Sequence, residues 1–298
     1  MNSILKICFA VSLILNTHCI SFAQQQRELL EQVSFSTRIK NPVKVEAEGN
    51  DENIIFYGVN NSFLPYQLEV EFTQIMNLDP ATKYYKTILD PGRSRLFELR
   101  IRQKNSSTQY NYKIKYVMGN PDRMADVDFP YLIPLSQNKK TVLNTMVPNF
   151  GFVPALFSVS EGDTIHAMRK GKVTAIPEDD NNELDRLTPT SLEIYHQDGT
   201  LASYAGKDLR SLIKVGEHVY PGQPIGILKR NAMVSINTYQ FFKNNSIRPI
   251  TIKYTADGTS LLVVGQLNGI VSTHPSEIIE KELTKSEMKK WQKGNLYK

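Results

Sequence analysis

Cysteine is almost missing from this 298-residue chain: there are two, Cys8 and Cys19. Both lie in the first 23 residues, where Lys6 precedes an apolar run and the stretch closes on Ser21-Phe22-Ala23. A positive start, an apolar middle and a small-residue exit mark residues 1–23 as a secretory signal peptide. Cleavage after Ala23 would leave no cysteine, which excludes disulfides and thiolate metal sites from the remainder. His18 ahead of Cys19 argues against a lipidated cysteine, which wants a small neighbour. Long hydrophobic runs are missing as well. The leader's run is shorter than the about 20 residues a spanning helix needs. No later stretch approaches that length, so no integral membrane segment is expected once the leader is gone.

A charge excess of one sign is lacking too. Lysine and arginine number 35 against 30 acids. Removing the leader, with its one lysine and no acid, leaves a mild positive balance that suits solubility or adhesion to an anionic surface. No basic patch with interleaved aromatics is present, so nucleic acid is not an expected partner. Histidine is sparse. Beyond His18 there are only His166, His196, His218 and His274. They are scattered, with none of the close pairing that metal sites use.

The chain is rich in short alternating segments. In 66–72, Tyr66, Leu68, Val70 and Phe72 share one face and Gln67, Glu69 and Glu71 the other. Residues 96–103 and 110–116 repeat the pattern, with turn-forming clusters between them. Period two with polar partners predicts half-buried antiparallel strands. The fold class expected is all-β, opening with an immunoglobulin-like β-sandwich over 24–122. A polar, proline-bounded linker begins a second β domain over 123–274, punctuated by glycines. Residues 275–298 are charged and helical in pattern, with Thr284 and Glu287 at capping-box spacing. That segment reads as a solvated C-terminal helix or tail, or as a partner-docking element carrying Trp291.

Residues 195–209, "YHQDGTLASYAGKDL", predict two strands around an Asp-Gly turn. Gly206 shares a face with Tyr204 and carries nothing there. His196, Asp198 and Ser203 flank the turn, but an exposed hairpin does not supply the elbow a nucleophile needs. The acidic run 178–185 reads as a solvated loop, with calcium as the alternative.

Three ordered blocks, 162–173, 192–206 and 213–228, carry the specific signal. The third places Gly216, Val219, Gly222, Gln223, Ile225 and Gly226 in a recognisable spacing. Together they resemble the lysostaphin/LytM-like zinc endopeptidases of bacterial cell walls, which carry the duplicated hybrid motif. The resemblance implies a LytM-like antiparallel β domain, a groove across its sheet, and zinc. It also implies three N/O protein ligands, leaving one position for the attacking water. Carried over residue by residue, the family's first histidine and aspartate fall on Val153 and Leu156. A catalytic histidine falls on Gly206, and the two-histidine strand falls on 236–239. His196 occupies a family position that is not a ligand. Every chemical position is replaced, so no zinc or other cofactor and no catalytic residue is expected. Val153, Leu156, Tyr204, Thr238 and Tyr239 are expected to line an apolar groove, with His196 and Gly206 at its hairpin.

The resulting expectation is an exported periplasmic or cell-surface pseudo-peptidase. It would bind peptidoglycan or regulate a cell-wall hydrolase. Two alternatives stand beside it: a divergent active zinc endopeptidase cleaving peptidoglycan cross-bridges, and a structural part of an envelope assembly.

Overall fold

The computed structural model describes residues 41–79, 83–145, 154–177, 191–206, 208–256, 259–261 and 265–297. The signal peptide, Val153 and the acidic run at 178–185 lie outside the described residues. The chain is all-β, with a short helical segment at its end. No helix among the described residues is long and apolar enough to cross a membrane.

The first part contains β1 (Val43–Gly49), β2 (Asn53–Asn60), β3 (Tyr66–Met76), β4 (Leu78–Asp79), β5 (Tyr84–Leu89), β6 (Gly92–Ile101) and β7 (Gln109–Met118). Two antiparallel sheets form, in the orders β1-β2-β6-β4 and β5-β3-β7. Alternation decides which side chains enter the core. Tyr66, Leu68, Val70 and Phe72 of β3 are all buried, and they share one cluster with Phe56 and Leu99 of the facing sheet. Phe97 joins the sheets by stacking on Tyr85 at 3.6 Å between ring centroids and on Phe56 at 4.8 Å. Gln67 departs from the polar-out pattern. It is buried because the linker folds over it, and its amide donates to Asp122 at 2.6 Å.

The second part contains β8 (Pro130–Leu132), β9 (Lys140–Thr145), β10 (Ala155–Val159), β11 (Thr164–His166), β12 (Gly171–Ala175), β13 (Ser191–His196), β14 (Thr200–Ala205) and β15 (Leu209–Ser211). It continues with β16 (His218–Val219), β17 (Pro224–Leu228), β18 (Ala232–Phe241), β19 (Ile247–Pro249), β20 (Lys253–Ala256), β21 (Thr259–Leu261) and β22 (Gly265–Val271). The large sheet runs β16-β12-β13-β14-β18-β10-β9-β22, with β19 added to β18. Two three-stranded sheets, β11-β17-β15 and β21-β20-β8, complete this part. The pair β20–β8 is parallel, a departure from the antiparallel expectation.

Glycine spacing in the three blocks has local causes. Gly162, Gly216 and Gly222 have φ of +80°, +89° and +78°, the left-handed region that glycine enters without a Cβ penalty. Gly171 faces a different constraint: a Cβ there would lie 2.4 Å from Ile194 Cγ2 and 2.7 Å from the Tyr195 carbonyl oxygen. Those turns bring the blocks together, through β11 on β17 and β12 on β16.

Strands β14 and β18 lie inside the sheet and are covered on both faces. Val234 and Ile236 face one core, with Ala202 and Tyr204 beside them. Tyr239, Phe241 and Leu201 face the other way and join the core of the first part. The 195–209 hairpin is therefore an internal pair of strands, where an exposed one was expected. Ser203 and His196 are buried on opposite faces, so they do not assemble a nucleophile–base pair.

The C-terminal segment forms α1 (Ser276–Glu280) and α2 (Lys285–Gln292). The capping box at Thr284 is complete: its hydroxyl accepts from Glu287 N–H, and the Glu287 carboxylate accepts from Thr284 N–H. The segment is packed against the protein. Ile278 and Ile279 bury against Leu132, and Trp291 covers them.

Replacing Phe241 by alanine should cost about 3–5 kcal/mol, because the cavity opens where both parts meet. Denaturant unfolding followed by near-ultraviolet and far-ultraviolet circular dichroism should show both signals shifting together. Gly171→Ala should destabilise by about 1–3 kcal/mol through overpacking against fixed backbone.

Candidate functional site

On the second part's own core face, β18 presents Ile236 and Thr238 to a cleft. Thr145, Ala155, Ile250, Thr251, Ile252 and Tyr254 complete its lining, and the room inside is on the scale of a water molecule or a methyl group. Backbone register sets the walls: Ala155 lies opposite both Ile236 and Thr145. Among the described residues no charged side chain lines this cleft. Thr238 is buried, and its hydroxyl has no hydrogen-bond partner among the described residues. An unpaired buried hydroxyl costs about 1–3 kcal/mol, so the cleft holds unused hydrogen-bonding capacity at its floor.

The predicted site residues divide by strand face. Thr238 lines the cleft. Tyr204 shares its face but is fully buried beneath it, where its hydroxyl accepts from Met168 N–H at 2.9 Å. Burial raises the Tyr204 phenol well above its ordinary value. Tyr239 lies outside the cleft, because it is adjacent to Thr238 in a strand and so points into the other core. Leu156 is likewise on the opposite face from Ala155, opposite Ser235 and Asn144. Gly206 is packed by Val234, Leu228 and Leu209: a Cβ there would lie 3.3 Å from Val234 Cγ2. Even a Cβ at that position would need Val234 to shift. Tyr131 and Tyr254, both buried, join Tyr204 in one core cluster from the β21-β20-β8 sheet.

Zinc does not fit the described residues at the carried-over positions; Val153 lies outside them. Of the carried-over ligand positions, Thr238 offers a weak neutral donor atom and Leu156 is on the wrong face, while Ile236, at a catalytic position, offers no polar atom. Among the described residues no group of three or more His, Cys, Asp or Glu could hold a metal ion. His166 and His274 stand together with ring centroids 5.2 Å apart, but His166 is engaged at both nitrogens, by the Gly222 carbonyl and by Ser136. His274 Nε2 donates to the Leu135 carbonyl at 2.8 Å.

A second polar centre is not legible in the sequence. Arg169 is buried, at 4 % exposure, between the linker, the hairpin and the C-terminal segment. Its Nη1 donates to Tyr131 Oη at 2.9 Å and to Asp198 Oδ2 at 2.7 Å. Nε and Nη2 both donate to Glu282 Oε1, at 3.0 and 2.7 Å. The guanidinium also lies over the Phe129 ring at 4.1 Å. Burial works against its charge, but Tyr131, Glu282 and Asp198 keep it firmly protonated. Burial alone would raise the Asp198 carboxyl; Arg169, with His196 and Thr200, holds it below its ordinary value. His196 is fully buried beside this cluster and donates from Nδ1 to the Lys170 carbonyl. Burial, then the Arg169 cation, pushes the imidazole down to about 4. Arg169 and Glu282 carry no signal readable in the sequence, since each sits in a segment whose local pattern is solvated.

No family model matches the chain, and no curated protein matches it. Among solved structures, Helicobacter pylori Csd3 from its orthorhombic crystal is similar at 15% identity and a TM-score of 0.31, covering 82% of this chain and 77% of that one. The same protein from its hexagonal crystal gives 14% identity and 0.31, covering 86% and 77%. Likeness at this level does not bear on the chemistry of the cleft.

His196 gives a pH signature. Its folded pKa of about 4 is below the unfolded 6.5, so unfolded chains bind a proton that native chains refuse. Stability should be full above pH 6.5 and fall as pH drops towards 4, with a slope of at most about 1.4 kcal/mol per pH unit from this group. Glu287 is pulled down to about 2: burial opposes that shift, while Lys170 and Thr284 drive it. Its contribution is lost at still lower pH. Denaturant midpoints from pH 8 to 3 check this, and His196→Gln should flatten the upper part. Arg169→Met should cost about 3–5 kcal/mol, since it strands two buried carboxylates.

Proposed function

We propose that this chain is an exported envelope protein of LytM-type ancestry that binds and does not cleave. In this reading it holds a peptidoglycan stem peptide, or a short segment of a cell-wall hydrolase that it regulates, at the periplasm or cell surface. The sequence supports export through the leader, and it supports the ancestry through the three ordered blocks. The observation that carries the binding reading is the Ile236/Thr238 pair. Where the resemblance expects one catalytic and one metal-binding imidazole, an isoleucine and an unpaired threonine hydroxyl face a small cleft whose described lining is uncharged. Such a lining suits one small neutral side chain and one hydrogen bond from a peptide group. It offers nothing to a charged ligand and no means of activating water.

Retention of the purified protein on isolated sacculi is the direct test, run beside Thr238→Val and Thr238→Leu. Valine keeps the shape and removes the hydroxyl. It should weaken retention about two- to tenfold, the worth of one neutral hydrogen bond, and leave the unfolding midpoint unchanged or raised. Leucine fills the cleft and should abolish retention. If the native protein is not retained above an unrelated exported protein, the peptidoglycan form of the reading fails. Co-purification of a hydrolase that Thr238→Leu disrupts would then carry the regulatory form.

A further inference from the structure

The C-terminal segment places a carboxylate into a receptor that is built without it. Glu282 Oε1 takes the two-nitrogen edge of the Arg169 guanidinium, and Oε2 accepts from Lys170 N–H at 2.8 Å. Glu282 is the only member of this set that comes from the C-terminal segment. The guanidinium is fixed from behind by Tyr131 Oη and Asp198, and from the side by Phe129. Asp198 in turn accepts from Thr200 N–H and from its hydroxyl, at 3.1 and 2.7 Å. The hydrogen-bonding groups of that support all precede residue 275, although Leu132, next to Tyr131, packs on Ile278 and Ile279. Next to it, Lys170 Nζ meets Glu287 Oε2 at 2.6 Å and lies 5.8 Å from the Tyr220 ring centroid. With the segment in place, two cations face three carboxylates. With it lifted away, Arg169 and Lys170 face only Asp198, and the pocket is left cationic.

The segment is held locally: besides its ion pairs to Arg169 and Lys170, Leu296 is buried and Tyr297 Oη donates to the Pro221 carbonyl at 2.7 Å. The segment consists of helices of five and eight residues, and among the described residues it adds no strand to any sheet. Its apolar anchors, Ile278 and Ile279, form a cluster with Leu132 that is separate from both main cores. A preorganised two-nitrogen fork with a backbone N–H alongside is the geometry that recognises a carboxylate.

We propose that Arg169, the Lys170 N–H and the Lys170 ammonium form a binding site for the carboxylate of an acidic peptide, and that Glu282 occupies it as a displaceable internal stand-in. This site is separate from the Thr238 cleft and does not rest on the reading given for that cleft.

The test uses full-length protein. In Glu282→Ala, sodium acetate should raise the unfolding midpoint saturably, and sodium chloride at matched ionic strength should not. Arg169→Lys in that background should weaken the acetate response about tenfold or more, the loss of a charge-assisted fork. In the native chain, excess of a synthetic peptide copying residues 276–297 should speed hydrogen exchange of the chain's own 276–297 segment. That arm needs no variant and stands if Glu282→Ala does not fold. Acetate acting no better than chloride, or equally well once Arg169→Lys is added, overturns the receptor. Unchanged exchange under excess peptide overturns the displaceable stand-in and leaves a structural ion pair only.

Discussion

The structure depends on one constraint: β14 and β18 are covered on both faces. Successive side chains of a strand must point opposite ways, so every residue of these strands is assigned to one of two cores. Val234, Ile236 and Thr238 go to the second part's core and its cleft; Tyr239 and Phe241 go to the core shared with the first part. A slip of one residue would exchange the two sets. The cleft, the burial of Tyr204 and the union of the two parts all follow from that register.

The second constraint is electrostatic. Arg169 ties three segments distant in sequence, through Tyr131, Asp198 and Glu282. A buried ion cluster of this kind adds little net stability over a well-packed apolar one, but it is costly to break on one side. It therefore acts more as a specifier of where the linker and the C-terminal helices lie than as a source of stability. His196, packed edge-on to Tyr131 at 5.9 Å, is kept neutral first by its burial and then by the Arg169 cation.

Much of the fold is legible in the sequence. The alternation in 66–72 names the buried face of β3, the Asp-Gly turn names the β13–β14 hairpin, and Thr284 with Glu287 names the helix cap. The motif glycines are legible as a spacing, and the structure supplies their reason: positive φ at three turns and a backbone contact at Gly171. The site is only partly legible. Thr238 faces the cleft, whereas Tyr239 and Leu156 do not, because positions carried over from a motif do not by themselves respect strand parity. The emptiness of Gly206 reflects the Val234 and Leu228 side chains that crowd it. Tertiary pairings between remote polar residues, such as Arg169 with Glu282, leave no periodic trace. The C-terminal segment therefore reads as solvated in the sequence, although its contacts pack it against the protein.

The account stands on the claim that the cleft holds a hydroxyl and hydrocarbon where a metallopeptidase would hold ligands. Elemental analysis of the native protein, purified without chelators and dialysed against micromolar zinc at neutral pH, addresses it most directly. The expected result is well below one equivalent of tightly held zinc and no change on Thr238→Val. One equivalent of zinc that survives dialysis, together with degradation of sacculi that chelation abolishes, would contradict it.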